Sequence, residues 1–469
     1  MSMRHKKPRL PAGEVTTEVH RLAHDGRGIG AVDGKAVFIE GALPGETVSF
    51  RYVFCRKTFD EGVAVKLLAN PSADRVEPPC THAAMCGGCS LQHLEPSAQL
   101  ALKQRVLLEQ LQHFGDVQPK EILPPMTGDR LGYRRKGRLA VRYVAGKGGV
   151  LVGFREKRNA KVADIASCAV LLPEIGGRID ELRALLSALS PAMLDKMPQI
   201  EIAAGDDTVA LVFRHLQPLP DADRAALANW CRERGFECWL QPGSETSMYR
   251  EWPPAESAQV PGIERLCYRL DDFGVELRFH PNDFTQVNPS INRQMVKRAV
   301  DLLDPQPSDR VLDLFCGLGN FTLPLATRAA QVTGVEGSAT MVERGNENVA
   351  HNLARARDGR APGLKLGETR FFAANLDGDF AGSQWARERY DRVLLDPPRS
   401  GAEAVCKVIA ARGDKFSAGR LVYVSCNPAT LARDARILVD AGYVLAKAGV
   451  MDMFPHTTHV ESMAVFERR

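Results

Sequence analysis

The sequence has no stretch approaching the roughly 20 consecutive apolar residues that a membrane-spanning helix needs. Its opening segment, MSMRHKKPRLPAGEV, is basic and polar, with no apolar core of signal-peptide length. A cytoplasmic protein with no membrane partner is expected. Charge of one sign is also scarce: the balance is +4 over 469 residues. That excess is too small to identify a nucleic-acid partner, so the placement of basic residues matters more than their sum. No internal repeat or low-complexity tract is evident. Cysteine, by contrast, is plentiful at eleven residues. In a long chain without an export signal, these point to reduced thiols, metal ligands or catalysis rather than to a disulfide scaffold. With 44% apolar residues, such a chain buries more than one core, and several domains are expected.

Residues 1–12 read as a basic arm carrying Arg4, Lys6, Lys7 and Arg9. Residues 13–72 alternate strand-like runs (VTTEVHRL, AVFIEGAL, TVSFRYVF, VAVKLLA) with Gly-rich turns (HDGRGIG, LPGE), which predicts a small β-barrel. Residues 73–285 mix strands and helices into a central α+β region. An amphipathic helix there begins near Ser97, with Leu100, Leu107, Leu108 and Leu111 on one side. From residue 286 to 469 helix, apolar strand and Gly-rich turn alternate, the signature of a parallel sheet with crossover helices. VLDLF, VTGVE, RVLLD and LVYVS are the clearest strands, and ARARDGRAPGLKLG, residues 354–367, reads as a long surface loop.

The strand at Val311 runs into a turn with Gly317 and Gly319, where missing side chains let backbone approach a ligand. The next strand ends in Glu336, whose carboxylate is placed to accept both hydroxyls of a ribose. Ordinary α/β punctuation is the competing reading of the pair. The turn lacks the full G-x-G-x-x-G spacing of a dinucleotide site, so S-adenosyl-L-methionine, which carries no phosphate, fits it better. Asp396 and Cys426 follow apolar strands and fall at the same carboxyl ends, where open sheets bind ligands. A cysteine in that position is usually a small buried hydrophobe. Here Asn427-Pro428 and a helix near Thr430 put the sulfur at a helix amino end, where a thiol ionises more easily.

Cys80, Cys86 and Cys89 are spaced C-x5-C-G-G-C, and Cys168 follows far downstream. One compact triplet with a distant fourth thiolate suits a [4Fe–4S] cluster better than zinc, which commonly uses two short knuckles. Unligated buried thiols are the alternative. Tyr133-Arg-Arg-Lys-Gly-Arg138, Arg142-Tyr143 and Phe154-Arg-Glu-Lys-Arg158 interleave basic and aromatic residues. Such a surface can hold phosphates and stack unpaired bases, although a charge run is more often a solvated face.

VSCNPATLARD, DPPRSG, DLFCGLGNFTLPLA and Asp283-Phe-Thr-Gln-Val-Asn288 together resemble the uracil-5 RNA methyltransferase family over essentially the whole chain. The resemblance implies a Rossmann-like class I methyltransferase domain, an N-terminal OB-like TRAM barrel and a central iron–sulfur domain. It implies that Cys426 is the nucleophile and Glu461 the general base. Gln286, Phe315, Asn320, Glu336, Asn375 and Asp396 match positions lining the cofactor and base pocket. Barrel and cysteines together resemble the branch acting on 23S rRNA, which carries a [4Fe–4S] cluster; Cys80, Cys86, Cys89 and Cys168 would be its ligands. With every cluster corner held by protein, a structural or RNA-shaping role is expected, in a monomer needing no protein partner. Two rivals are considered. Radical methylthiotransferases join the same modules but need C-x3-C-x2-C, and a non-catalytic cluster-bearing RNA sensor would not depend on Cys426.

Overall fold

The computed structural model describes residues 10–147, 149–244, 247–254, 265–412 and 418–468, so the basic positions Arg4 to Arg9 lie outside the described residues. The chain divides into two compact units: residues 1–84, 88–106 and 455–459 form one, and residues 85–87, 107–454 and 460–469 the other.

The first unit contains a closed five-stranded barrel, β1 (Val15–Leu22), β2 (Gly28–Val32), β3 (Lys35–Glu40), β4 (Thr47–Cys55) and β5 (Phe59–Ala69), in the order β1-β2-β3-β5-β4. Alternation along the strands sends Val19, Val37, Ile39, Val48 and Phe50 inward, where they pack as one core. Closure explains β2, where the sequence alone suggests a Gly-rich turn. A Cβ on Gly28 would lie 2.7 Å from Ala42 O, and one on Gly30 2.7 Å from Glu18 O. These glycines therefore serve close backbone approach within a strand. Buried Glu46 accepts from Leu43 N (2.7 Å) and from Arg75 Nε and Nη2 (2.5 and 2.7 Å), tying the barrel to the segment that leaves it. Helix α1 (Pro96–Gly115) is the amphipathic helix expected near Ser97. Leu100, Leu107 and Leu111 are buried on it, and Leu108 is half-buried.

In the second unit β6 (Glu121–Ile122) precedes a six-stranded sheet. That sheet comprises β7 (Lys136–Val144), β8 (Gly149–Gly153), β9 (Gln199–Ala204), β10 (Val209–Arg214), β11 (Glu237–Gln241) and β12 (Tyr249–Trp252), ordered β12-β11-β10-β9-β7-β8. Helices α2 (Pro173–Gly176), α3 (Ile179–Ser187) and α4 (Asp221–Glu233) accompany it. A hairpin, β13 (Leu266–Leu270) and β14 (Val275–Phe279), leads into α5 (Pro289–Leu303). Asn288 caps α5 by accepting from Ile291 N (3.3 Å), and Pro289 opens it.

The remaining strands are β15 (Arg310–Leu314), β16 (Gln331–Glu336), β17 (Glu368–Ala373), β18 (Arg392–Leu395), β19 (Arg420–Ser425), β20 (Tyr443–Met451) and β21 (Glu461–Arg468). They form an eight-stranded sheet in the order β17-β16-β15-β18-β19-β21-β20-β6. β15 to β19 are parallel, with helices α6 (Thr322–Ala326), α7 (Ala339–Arg357), α8 (Gln384–Arg387), α9 (Glu403–Arg412) and α10 (Pro428–Asp440) between or after them. The parallel strands read as near-continuous apolar runs because helices cover the sheet. Residues 354–357 belong to α7, so the expected long loop is shorter than the sequence suggested.

Candidate active site

Antiparallel insertion of β21 beside β19 creates the site. The pair Ser425↔Ser462 brings Cys426, one residue past the end of β19, next to Glu461 at the start of β21. Asp396 leaves the neighbouring β18 at the same edge. Asn427 caps α10 by accepting from Ala429 N (3.2 Å), so Cys426 stands two residues before the helix begins. The turn after Asp396 is fixed to that helix. Asn427 Nδ2 and Thr430 Oγ1 donate to Arg399 O (3.0 and 3.4 Å), Arg433 Nη2 donates to Ser400 O (2.9 Å), and buried Asp434 accepts from Ala402 N (2.7 Å).

The electrostatics differ from the expected activated thiol. Burial, followed by the charges of Glu461 and Asp396, pushes the half-buried Cys426 thiol up to about 11, against a smaller lowering by Arg399. Desolvation and two carboxylates outweigh the lowering by Arg399 and by a backbone hydrogen bond at Cys426. Burial first, then Asp396, raises the Glu461 carboxyl to about 8. Burial raises Asp396 to about 7. Three weak acids thus share one pocket, and the first protons to leave at neutral pH are those of the carboxyls. Arg399, exposed on the DPPRSG turn, opposes the raising of both Cys426 and Glu461, a task that the motif's sequence alone does not show.

The strand-to-helix turn after β15 holds the expected cofactor residues. Phe315 adopts φ +62°, a left-handed conformation uncommon for an aromatic residue, and Gly317 and Gly319 follow at +56° and +99°. Glu336 reaches across from β16: its Oε2 accepts from Gly317 N (3.1 Å) and its Oε1 from Ser338 N (3.0 Å). This carboxylate is a preset acceptor beside a bare backbone cradle, which suits a ribose hydroxyl pair. Asn320 exchanges hydrogen bonds with Asn292 (3.0 and 3.2 Å) and accepts from the Tyr268 hydroxyl (2.9 Å). Asn292 and Tyr268 were missed because neither lies in a recognisable motif. They also line a narrow cavity with Gln286, Arg135 and Arg293, which places Gln286 close to Asn320 through shared neighbours. Asn375 is exposed just past β17 and accepts from Asp377 N (3.0 Å). Behind the turn, fully buried Asp313 accepts from Thr322 Oγ1 (2.5 Å), and burial raises it to about 8.

One expectation needs correction. Tyr133 is 3% exposed and so packs inside instead of stacking on bases. Around it Arg135 pairs with Asp206 (2.5 Å) and Arg138 with Glu201 (3.0 Å), whereas Arg142 and Tyr143 are exposed on β7. Among the described residues no three His, Cys, Asp or Glu side chains gather as a metal-binding group. Cys80 and Cys89 belong to the first unit, Cys86 and Cys168 to the second. Cys86 and Cys168 rest against the apolar core of the six-stranded sheet. None of the eleven cysteines is disulfide-bonded.

Comparison with known proteins matches residues 266–469 to the tRNA (Uracil-5-)-methyltransferase family and residues 13–64 to the TRAM domain. A protein of Alcanivorax borkumensis named 23S rRNA (uracil(1939)-C(5))-methyltransferase RlmD is 52% identical over 466 residues, covering 99% of both chains. The Hahella chejuensis protein of the same name is 48% identical over 100% of both. Among solved structures, the Pyrococcus abyssi tRNA (uracil-54, C5)-methyltransferase in complex with S-adenosyl-L-homocysteine aligns with a TM-score of 0.70 at 25% identity, covering 96% of this chain and 99% of that one.

Proposed function

Because the chain belongs to the RNA uracil-C5 methyltransferase family, we propose that it transfers a methyl group from S-adenosyl-L-methionine to carbon 5 of the uracil at position 1939 of 23S rRNA. The observation that carries the chemistry is the meeting of Cys426, Glu461 and Asp396 at one sheet edge, where the carboxyl ends of β18 and β19 lie beside the amino end of antiparallel β21. The named relatives support the RNA target, and the TRAM match supports RNA binding.

Carbon 5 of uracil is a weak nucleophile. Addition of the Cys426 sulfur to carbon 6 forms the S–C6 bond and moves the C5=C6 electron pair toward oxygen 4, giving an enolate whose carbon 5 can attack an electrophile. The thiol proton must leave first. Asp396, at about 7 the most fully ionised of the three at neutral pH, is the acceptor available there. When bound, the sulfonium would supply the methyl group as its S–CH3 bond breaks and S-adenosyl-L-homocysteine leaves, and its positive charge would favour the ionised carboxylates. After transfer, Glu461 removes the proton on carbon 5, and the electron pair so released expels the Cys426 sulfur from carbon 6. Phe315, Gly317, Asn320 and Glu336 are proposed to hold the cofactor, with Gln286 and Asn375 at its margins.

We also retain as a proposal that Cys80, Cys86, Cys89 and Cys168 bind a [4Fe–4S] cluster. Its support is the triplet spacing with one remote thiol. Anaerobic reconstitution should give equal iron and acid-labile sulfide with a broad thiolate-to-iron absorption band, and Cys168→Ser should diminish all three.

The mechanism is tested with Glu461→Gln and Cys426→Ala on a 23S rRNA fragment. Glu461→Gln should slow turnover by roughly 10²–10⁴-fold and accumulate a protein–RNA species that survives denaturing electrophoresis. Cys426→Ala should abolish both methyl transfer and that species while binding RNA. A Glu461→Gln protein that turns over normally would contradict the assigned base.

A further inference from the structure

On the reading that the substrate is RNA, we propose a second RNA subsite on the methyltransferase sheet, at the edge opposite the chemistry, where the Arg/Gly-rich segment after α7 walls a cavity that takes one nucleotide of the same RNA. Asn375, Asp396 and Cys426 leave their strands at the carboxyl ends. The segment instead enters β17 at its amino end, held by Gly367 N to Ala326 O (2.7 Å) and Glu368 N to Ala330 O (2.9 Å). A six-residue strand separates the two edges by about 20 Å.

The cavity measures about 390 Å³ and is lined by Phe273, Arg355, Arg360, Pro362, Leu364 and the glycines beside them, with no carboxylate among its walls. That volume lies within the range of small-ligand sites. Apolar wall and guanidinium charge together match a nucleotide, which has both a flat base and a phosphate. Arg355 donates from Nη1 to Gly274 O and Asn352 Oδ1 (both 2.9 Å), which holds that guanidinium at the wall in advance. Preset donors cost less ordering when a ligand arrives. Among the described residues Arg360 pairs with Asp358 (2.9 Å), and both side chains are 56% exposed, so this solvated bridge yields readily to a phosphate. Arg328, which lies over the Phe273 ring at 5.9 Å, Arg357 and Lys365 add exposed positive charge around the rim. Asp271, Asp272 and Asp358 are the exposed carboxylates of the neighbouring turns and do not line the cavity.

The test compares full-length wild type with Arg360→Glu and Asp358→Ala on two 23S rRNA fragments, a minimal hairpin carrying the target uracil and a longer fragment able to reach the far edge. For Arg360→Glu, KM and Kd for the long fragment should rise roughly 5–10-fold, kcat should hold, and the salt slope of log Kd should fall by about one. The hairpin's KM should not change, and Asp358→Ala should leave or tighten binding of the long fragment. Equal Kd and salt slope for wild type and Arg360→Glu would overturn the subsite. So would AMP binding that depends on Arg360 while the long fragment's Kd does not, which would assign the cavity to a free nucleotide. If wild type methylated neither fragment, the functional reading would fail, while the long fragment's Kd would still report on Arg360.

Discussion

At the scale of single residues, three raised acids dominate the site and govern activity, and a fourth, Asp313 behind the cofactor turn, governs stability. Catalysis needs ionised Asp396 and Glu461, raised to about 7 and about 8, so kcat/KM is expected to climb between pH 6 and pH 8.5. Asp396→Asn should flatten the lower part of that rise. Stability runs the other way. The folded chain holds the proton of Asp313 to about 8, whereas an unfolded aspartate loses it near its ordinary value of 3.8. Between those limits the native state binds more protons than the unfolded state, so stability falls as pH rises. Thermal melts from pH 5 to pH 8.5 should show that fall, and Asp313→Asn should reduce it; an unchanged slope would mean that Asp313 does not titrate this way. The thiol itself gives a third readout. Glu461→Gln should speed iodoacetamide alkylation of Cys426 at pH 9 several-fold, followed by peptide mass spectrometry, since the glutamate charge helps keep the thiol protonated.

Elements show what the sequence could and could not reveal. The strands Arg310–Leu314, Gln331–Glu336, Arg392–Leu395 and Arg420–Ser425 were legible because parallel strands covered by helices become short apolar runs between Gly and Asn turns. β2 was not, since Gly28 and Gly30 look like a turn until barrel closure makes close approach necessary. The interior position of Tyr133 was hidden too, because basic neighbours say nothing of which way one ring packs. Nor could spacing reveal the acid cluster around Cys426, which depends on β21 returning antiparallel next to β19. The turn carrying Arg399 depends on α10 in the same non-local way. Asp434 is fully buried and accepts from Ala402 N and the Tyr423 hydroxyl, both at 2.7 Å, while Arg433 pairs with it at 2.8 Å. Asp434→Ala should cost about 3–5 kcal/mol in urea unfolding. Methyl transfer should drop as well, through loss of the ordered turn. A variant of wild-type stability and activity would show that the turn holds itself.

At the scale of the molecule, a barrel with its own core and a larger unit containing, among the described residues, a six-stranded sheet, a two-stranded hairpin and an eight-stranded sheet share one chain. A net charge of +4 gives little long-range attraction. RNA affinity should therefore come from local phosphate contacts and fall linearly in log Kd against log salt. The account as a whole depends on a reversible bond between Cys426 and the pyrimidine ring. The most direct measurement incubates the protein and S-adenosyl-L-methionine with a 23S rRNA fragment containing 5-fluorouracil. Fluorine on carbon 5 cannot leave as a proton, so the reaction should stop after methyl transfer, with RNA joined to the peptide containing Cys426 and carrying one extra methyl group. Recovery of free protein with no adduct, or an adduct on a different cysteine, would contradict it.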